Sequence, residues 1–128
     1  MPGGLLFDTD VLVDYLRGLP AAVGFVNGCE SPMLVSAITV AELYVGVREG
    51  RERVALDGFL SLFHLVPVGR EVAISGGLLR RDFGPKHGVG LSDALIAATA
   101  FQEKATLVTL NGKHFPMLSD VLAPYRKP

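Results

Sequence analysis

The sequence predicts an α/β protein in which helices cover both faces of a mostly parallel central sheet. Short, continuous apolar runs recur along the 128 residues, as expected for strands that are buried on both faces. Longer amphipathic segments of crossover length separate these runs, and polar residues directly follow several of them. The expected architecture is a three-layer α/β/α sandwich that forms one domain over residues 1–128.

The first strand places an acidic residue at its carboxyl end. Leu5–Phe7 is wholly apolar, and Asp8 follows it directly. Either Thr9 or Asp10 can cap the next helix, whose apolar residues recur at helical spacing. Those residues are Val11, Leu12, Tyr15 and Leu16. Because open α/β sheets bind ligands beyond the carboxyl ends of their strands, Asp8 lies where such folds place their chemistry.

The following elements are predicted in chain order from periodicity and from Pro, Gly and Ser signals. The first half contains a helix at 21–28, a strand at 32–35, a helix at 37–47 capped by Ser36, a charged turn at 48–53, a helix at 54–63 and a strand at 64–68. The second half contains a helix at 70–83, a glycine-rich loop at 84–90, a helix at 93–103 capped by Ser92, a strand at 106–110, a polar turn at 111–114 and a short edge strand around Val121 and Leu122. Alternation of this kind favours parallel strands.

Composition narrows the possible functions. Hydrophobic residues make up 49% of the chain, yet no apolar run is long enough for a membrane span, so a cytoplasmic protein is expected. The formal net charge of −1 argues against a general nucleic-acid binder that relies on a basic surface. The single cysteine, Cys29, is expected to serve packing only.

Three carboxylates occur in unusual surroundings. Glu42 is the only ionisable residue in an apolar helix and is expected to be buried, whereas Asp93 opens an alanine-rich helix. Each has an ordinary alternative: Asp8 as a cap, Glu42 facing solvent, Asp93 as an acid favoured at a helix N-terminus. If the three converge, their repulsion calls for a divalent cation. Oxygen ligands without a Cys and His cluster favour Mg²⁺ or Mn²⁺ over zinc.

Four segments carry a resemblance to a known family. They are residues 6–12, 36–43, 91–98 and 107–111, the last with His114 and Phe115 nearby. In this order and at this spacing the chain resembles the PIN-domain ribonucleases, specifically the small single-domain toxins of the VapC type. The resemblance implies a parallel α/β/α sandwich, RNA hydrolysis dependent on Mg²⁺ or Mn²⁺, a homodimer, and inhibition by a small VapB-like antitoxin that occupies the groove.

The same resemblance implies roles for individual residues. Asp8, Glu42 and Asp93 correspond to the family's metal-binding acids, and Asn111 stands at a fourth catalytic position that is usually acidic. Asp10 is then either a helix cap or a substitute for the missing acid. Two hydroxyls, from Thr9 and Thr109, would orient ligands or waters.

Basic residues outside the acidic set are candidates for positioning the RNA backbone, although a solvated surface is the more ordinary role for any one of them. They are Arg80, Arg81, Lys86, Lys113 and His114. Asp14 is instead expected at the surface, paired with Arg17 three residues later.

Two rival interpretations remain open from the residues alone. A phosphoacceptor domain would explain the acidic turn at Asp8 and Asp10, but it also requires an acid after an internal strand. Neither Ser36 nor Gly69, which lie at such positions, supplies one. The second rival is a metal-free interaction module whose acids bind a basic partner.

Overall fold

A computed structural model describes residues 3–127, and within that range the chain forms a parallel sheet covered by helices. The strands are β1 (Leu5–Phe7), β2 (Met33–Ser36), β3 (His64–Val66), β4 (Thr106–Val108) and β5 (Val121–Leu122). The helices are α1 (Thr9–Leu16), α2 (Pro20–Asn27), α3 (Ala37–Val45), α4 (Arg51–Leu60), α5 (Arg70–His87) and α6 (Leu91–Glu103), with a 3₁₀ turn at Gly112–His114. The predicted fold class is confirmed.

The sheet order is β3-β2-β1-β4-β5, and every pairing is parallel, so β1 occupies the centre. Leu6 and Phe7 are both fully buried because they point to opposite faces. Phe7 packs in a core with residues of α1 to α4, while Leu6 packs with Ile96 and Ala97 of α6. The helices therefore form two layers, with α1 to α4 on one face of the sheet and α5 with α6 on the other.

Capping differs from the expectation at two helices. Asp8 itself, in extended conformation, is the N-cap of α1 and accepts a hydrogen bond from the Thr9 backbone N–H. At α6 the predicted cap Ser92 is wrong, because Gly90 occupies the N-cap and Leu91 begins the helix. Ser36 caps α3 as predicted, accepting from the Ile38 N–H at 3.0 Å.

The predicted charged turn at 48–53 is wrong in its second half. Gly50, with φ of 97°, is the N-cap of α4, which begins at Arg51. Arg48 pairs with Glu52 at 2.8 Å, and Arg53 pairs with Glu49 at 2.8 Å. These ion pairs have the i,i+4 spacing of a helix and stabilise its first turn. Charge of both signs in this segment therefore supports a helix and not the predicted turn.

The glycine-rich stretch at 84–90 does not form the predicted loop, because α5 continues to His87 and ends at Gly88 in left-handed conformation. Pro85 lies inside this helix, where its ring crowds the preceding residue. That residue is Gly84, and the guanidinium of Arg80 fills the space that a Cβ would take there. The absence of a side chain at Gly84 thus permits both the proline and the arginine.

No helix among residues 3–127 combines the length and the apolar character needed to cross a bilayer.

The close approach of α5 to α6 depends on a glycine. A Cβ built on Gly76 would lie 2.5 Å from the Leu95 Cδ2 and 3.1 Å from its Cα, whereas a Cβ on Gly77 would meet nothing within 4 Å. The two adjacent positions therefore offer a matched pair of substitutions in one helix.

We expect Gly76→Ala to lower the free energy of unfolding by about 1–3 kcal/mol, because the Leu95 backbone must move away. Gly77→Ala should leave that free energy unchanged or raise it by up to about 1 kcal/mol, since alanine favours the helix without a clash. Urea denaturation followed by circular dichroism measures both. Equal destabilisation by the two variants would contradict the packing described.

Candidate functional site

Asp8 lies at the point where the central strand ends, held between two elements. Its Oδ1 accepts from the Thr9 N–H at 2.8 Å, and its Oδ2 accepts from the Thr109 hydroxyl at 2.8 Å. Its own N–H donates to the carbonyl of Val108 at 2.9 Å. Only 7% of Asp8 is exposed. The carboxylate is therefore fixed in direction by β4 and α1 before any ligand binds.

Thr109 joins Asp8 to the turn that follows β4. Its buried hydroxyl donates to Asp8 and accepts from the Asn111 N–H at 3.0 Å. Because a hydroxyl has one proton to donate, the longer 3.4 Å contact with Asp10 is secondary. Thr109 thus sets the spacing between the first strand end and the Asn111 turn.

Asp10 contacts the same turn from the first turn of α1. Its Oδ2 accepts from the Leu110 N–H at 2.9 Å and from the Asn111 side-chain amide at 3.0 Å, and its Oδ1 accepts from the Val11 N–H at 2.8 Å. The amide must present its nitrogen here, because an ionised carboxylate only accepts. Asp10 therefore lies directly beside Asn111, and a negative charge is present where the turn itself supplies none.

Glu42 reaches the site from α3. The expectation that it is buried is wrong, since α3 leaves Ala41, Glu42 and Val45 exposed. Its Oε1 nevertheless accepts from the Thr9 hydroxyl at 2.7 Å, which aims the carboxylate toward the start of α1. The apolar sequence of α3 gave a wrong prediction because much of the hydrophobic surface of this helix faces solvent. Val45, for example, is 88% exposed.

Asp93 approaches from the first turn of α6 and is half-buried. Its Oδ2 lies 3.8 Å from the Nδ1 of His114 in the 3₁₀ turn. The alanines that follow Asp93 pack against the sheet, so α6 lies close enough to direct its N-terminus at the site. The structure thereby brings Asp93 into electrostatic range of Asp8 and Glu42.

Burial and mutual repulsion raise the proton affinity of this acidic cluster. Burial raises the pKa of Asp8 to about 6; the charge of Asp10 adds to the rise, against hydrogen bonds from Thr109 and Thr9. Burial also raises the pKa of Asp10 and of Asp93; at Asp93, His114 favours the charged form and Glu42 opposes it. The site therefore concentrates negative charge that the surrounding protein neutralises only in part.

The donor set fits a hard divalent cation, because it consists of carboxylate and amide oxygens. Within residues 3–127, however, no three Asp, Glu, His or Cys side chains form a ready-made ligand set for one ion. Mg²⁺ commonly takes one or two carboxylates and retains several waters, so an open arrangement of acids suits it better than a closed cage would.

The predicted RNA-positioning residues fall into two groups. Arg80, Arg81 and Lys86 lie on α5, where Arg80 covers Gly84 and Arg81 pairs with Asp82 at 2.8 Å. Lys113 and His114 lie in the 3₁₀ turn, and His114 contacts Asp93 as described. A role for these five residues in binding RNA stays a prediction.

Asp14 was predicted at the surface beside Arg17, and this is wrong. Asp14 is 4% exposed; its Oδ2 accepts from the Tyr125 hydroxyl at 2.8 Å and its Oδ1 lies 2.9 Å from the Lys127 Nζ. Burial and this hydrogen bond raise the pKa of Tyr125, which keeps it a donor. More than 100 residues separate the partners, so spacing along α1 gave no signal of the contact.

Two cavities flank the acidic cluster. One, of about 610 Å³, lies between α1, α3 and α4; Leu16, Leu43 and Leu56 line it, with Arg17, Arg48 and Glu42 at its polar parts. The other, of about 480 Å³, lies between the Asn111 turn and the segment after β5. Glu42 and Asp10 belong to the cavity walls, so both cavities open onto the site.

The fold and the site together define a class: an α/β/α domain whose acids gather at the carboxyl ends of parallel strands. A family model described as the PIN domain matches residues 5–119. The chain therefore belongs to the PIN-domain family, which confirms the resemblance seen in the sequence and replaces the phosphoacceptor interpretation.

Relatives within that family are VapC proteins. Ribonuclease VapC19 of Mycobacterium tuberculosis is 41% identical over 125 residues, which cover 94% of this chain and 98% of that protein. Ribonuclease VapC10 of the same species is 35% identical, over 97% of this chain and 95% of its own length. A solved toxin-antitoxin complex from Klebsiella pneumoniae contains a chain with a TM-score of 0.83 and 28% identity, matched over 96% of this chain and 99% of that one.

We expect Asp8→Asn to stabilise the protein in EDTA at pH 7.5 by about 2–3 kcal/mol, because it removes a buried charge. The pKa of Asp8 is raised from 3.8 to about 6, so its protonated form stabilises the fold at low pH and this contribution is lost as pH rises through 6. The advantage of the variant should therefore shrink between pH 7.5 and pH 5. Urea unfolding at each pH measures it.

Glu30→Gln, at an exposed position in the loop between α2 and β2, serves as the matched control and should change stability little at any pH. An Asp8→Asn protein that is less stable than the wild type at pH 7.5 would refute the electrostatic account of the site.

Proposed function

We propose that this chain is a divalent-metal-dependent endoribonuclease and the toxin of a toxin-antitoxin pair. The acidic cluster at the end of the central strand carries the proposal. Buried carboxylates with raised proton affinity and incomplete neutralisation are unfavourable in isolation and favourable around a cation. VapC19 and VapC10, the relatives described above, are named ribonucleases.

In this proposal Asp8, Glu42 and Asp93 hold Mg²⁺ or Mn²⁺. The ion supplies a polarised water and charge stabilisation at the scissile phosphate. Each oxygen of Asp8 accepts one hydrogen bond from the protein, so each retains lone-pair capacity for a further partner. Glu42 is oriented by the Thr9 hydroxyl in the same manner. Both threonines thus limit the freedom of the ligands.

Asp10 and Asn111 act as a unit in the same mechanism. Their hydrogen bond places one charge and one amide where a second acid would otherwise stand. We assign Asn111 to the catalytic set through its amide, and Asp10 to the metal site as an added negative charge. Asp10 also fixes the backbone of the turn through Leu110. Of the two roles that the sequence left open for Asp10, the helix cap belongs to Asp8 instead.

The antitoxin partner is assigned to the apolar cavity between α1, α3 and α4. The leucine-rich wall of this cavity suits the apolar face of a helix. Glu42 places the polar end of the cavity at the catalytic cluster. A VapB-like segment seated there would block access to the acids. The Klebsiella chain described above comes from a toxin-antitoxin complex, which supports the assignment. A homodimer, implied by the family resemblance, stays a prediction.

We expect the purified protein to cleave total RNA in Mg²⁺ or Mn²⁺ and to lose this activity in EDTA. Asp8→Asn and Glu42→Gln should each lower the rate at least about 100-fold, because each removes a ligand charge. Glu30→Gln should retain the wild-type rate. Gel analysis with mapped cut sites measures all four proteins. Cleavage by Asp8→Asn at the wild-type rate would exclude the proposed metal site.

We expect expression of this chain alone to arrest bacterial growth, and co-expression of the small protein encoded beside it to restore growth. Leu16→Glu, in the apolar cavity, should prevent the rescue while leaving cleavage intact, because a charge there opposes an apolar helix. Ile74→Glu, at a comparably exposed position on α5, is the control and should be rescued. If growth is rescued for both variants, the antitoxin does not bind in this cavity.

A further inference from the structure

The second cavity beside the site has walls of opposite charge. Asp10 and Asn111 form one wall, whereas Tyr125, Arg126 and Lys127, all after β5, form the other. The cavity holds about 480 Å³ and is continuous with the acidic cluster through Asp10. An RNA strand bound across the acidic cluster would continue over a neighbouring surface, and this cavity provides one.

The segment after β5 is anchored, so its residues have defined positions. The buried carboxylate of Asp14 receives the Tyr125 hydroxyl at 2.8 Å and the Lys127 ammonium at 2.9 Å. Losing these contacts is costly on the Asp14 side, since its buried carboxylate would remain charged without compensation, whereas Lys127 is half-exposed. Arg126 lies between these two contacts in sequence and is itself exposed.

The two cations of this wall differ in what they can bind. Lys127 is occupied by Asp14. Arg126 is exposed, lines the cavity, and forms no salt bridge with any residue in 3–127. Its guanidinium presents several donors in a plane, the arrangement that matches two oxygens of a phosphate. A cation is needed here because the opposite wall is acidic and would repel a phosphate.

We propose that Arg126 binds a backbone phosphate of the RNA strand next to the scissile bond, which makes the segment after β5 one wall of the substrate groove. This inference rests on the proposed ribonuclease function and extends it to a residue outside the acidic set. The contact is to the backbone, so it contributes affinity and register but no base preference.

The test compares two variants that each remove one positive charge. Arg126→Gln alters the cavity wall, and Lys104→Gln alters an exposed residue before β4, at the opposite edge of the sheet. A fluorescent, mixed-sequence 20-nucleotide RNA is titrated with each protein in Ca²⁺ instead of Mg²⁺, over a series of KCl concentrations. A gel checks that the RNA stays intact.

We expect Arg126→Gln to weaken binding about fivefold at low salt and to reduce the slope of log Kd against log salt by about 0.7–1, the signature of one lost phosphate contact. Lys104→Gln should match the wild type in both quantities, and Arg126→Lys should restore the slope. In Mg²⁺, Arg126→Gln should raise KM with kcat within about twofold, since the contact is made before and during reaction.

Equal slopes for Arg126→Gln and the wild type would overturn the inference, as would a wild type that does not bind the RNA. An equal loss for Lys104→Gln would also overturn it, because the effect would then reflect net charge. If Arg126→Gln shows the expected slope but the wild type cleaves no RNA, the phosphate contact stands and the proposed nuclease function fails.

Discussion

The register between β1 and β4 is the constraint on which the site depends. Phe7 lies opposite Val108, so Asp8 and Thr109 leave their strands side by side and meet through a 2.8 Å hydrogen bond. A slip of one residue would reverse every side chain on the strand and place Asp8 in the core. The slip would also exchange the apolar layers in which Leu6 and Phe7 are packed. Packing therefore determines where the Asp8 carboxylate lies, because the residue pattern that buries the strand also sets the direction of this side chain.

Stability and reactivity oppose each other at this edge of the sheet. Asp8, Asp10 and Asp93 are each harder to ionise than an ordinary aspartate because of burial. Backbone and hydroxyl donors hold the charges of Asp8 and Asp10 without neutralising them. A cation that binds only the folded state would offset this unfavourable electrostatic energy and shift the equilibrium toward the folded protein. The proposed metal-binding role and the local instability thus share one physical origin.

Sequence reasoning predicted the α/β/α class and the strand positions, because each depends on local pattern or on residue type. The roles assigned to the acids stay predictions. Sequence reasoning failed where distant segments decide the outcome. Asp14 looked like a surface partner of Arg17, yet its donors come from residues 125 and 127. The stretch around Pro85 looked like a loop, yet a bare Gly84 lets the helix continue. The exposure of Glu42 depends on how much of α3 the sheet covers, which periodicity does not report.

Asp14 has a consequence for how this domain tolerates sequence change. Its carboxylate lies within α1, one turn after Asp10, but its compensating charge and hydroxyl come from the segment after β5. Fusions, tags or truncations that displace residues 125–127 would therefore leave a buried anion inside the helix that carries Asp10. Loss of the contacts made by residues 125–127 would thus disturb the acidic cluster indirectly, through helix α1.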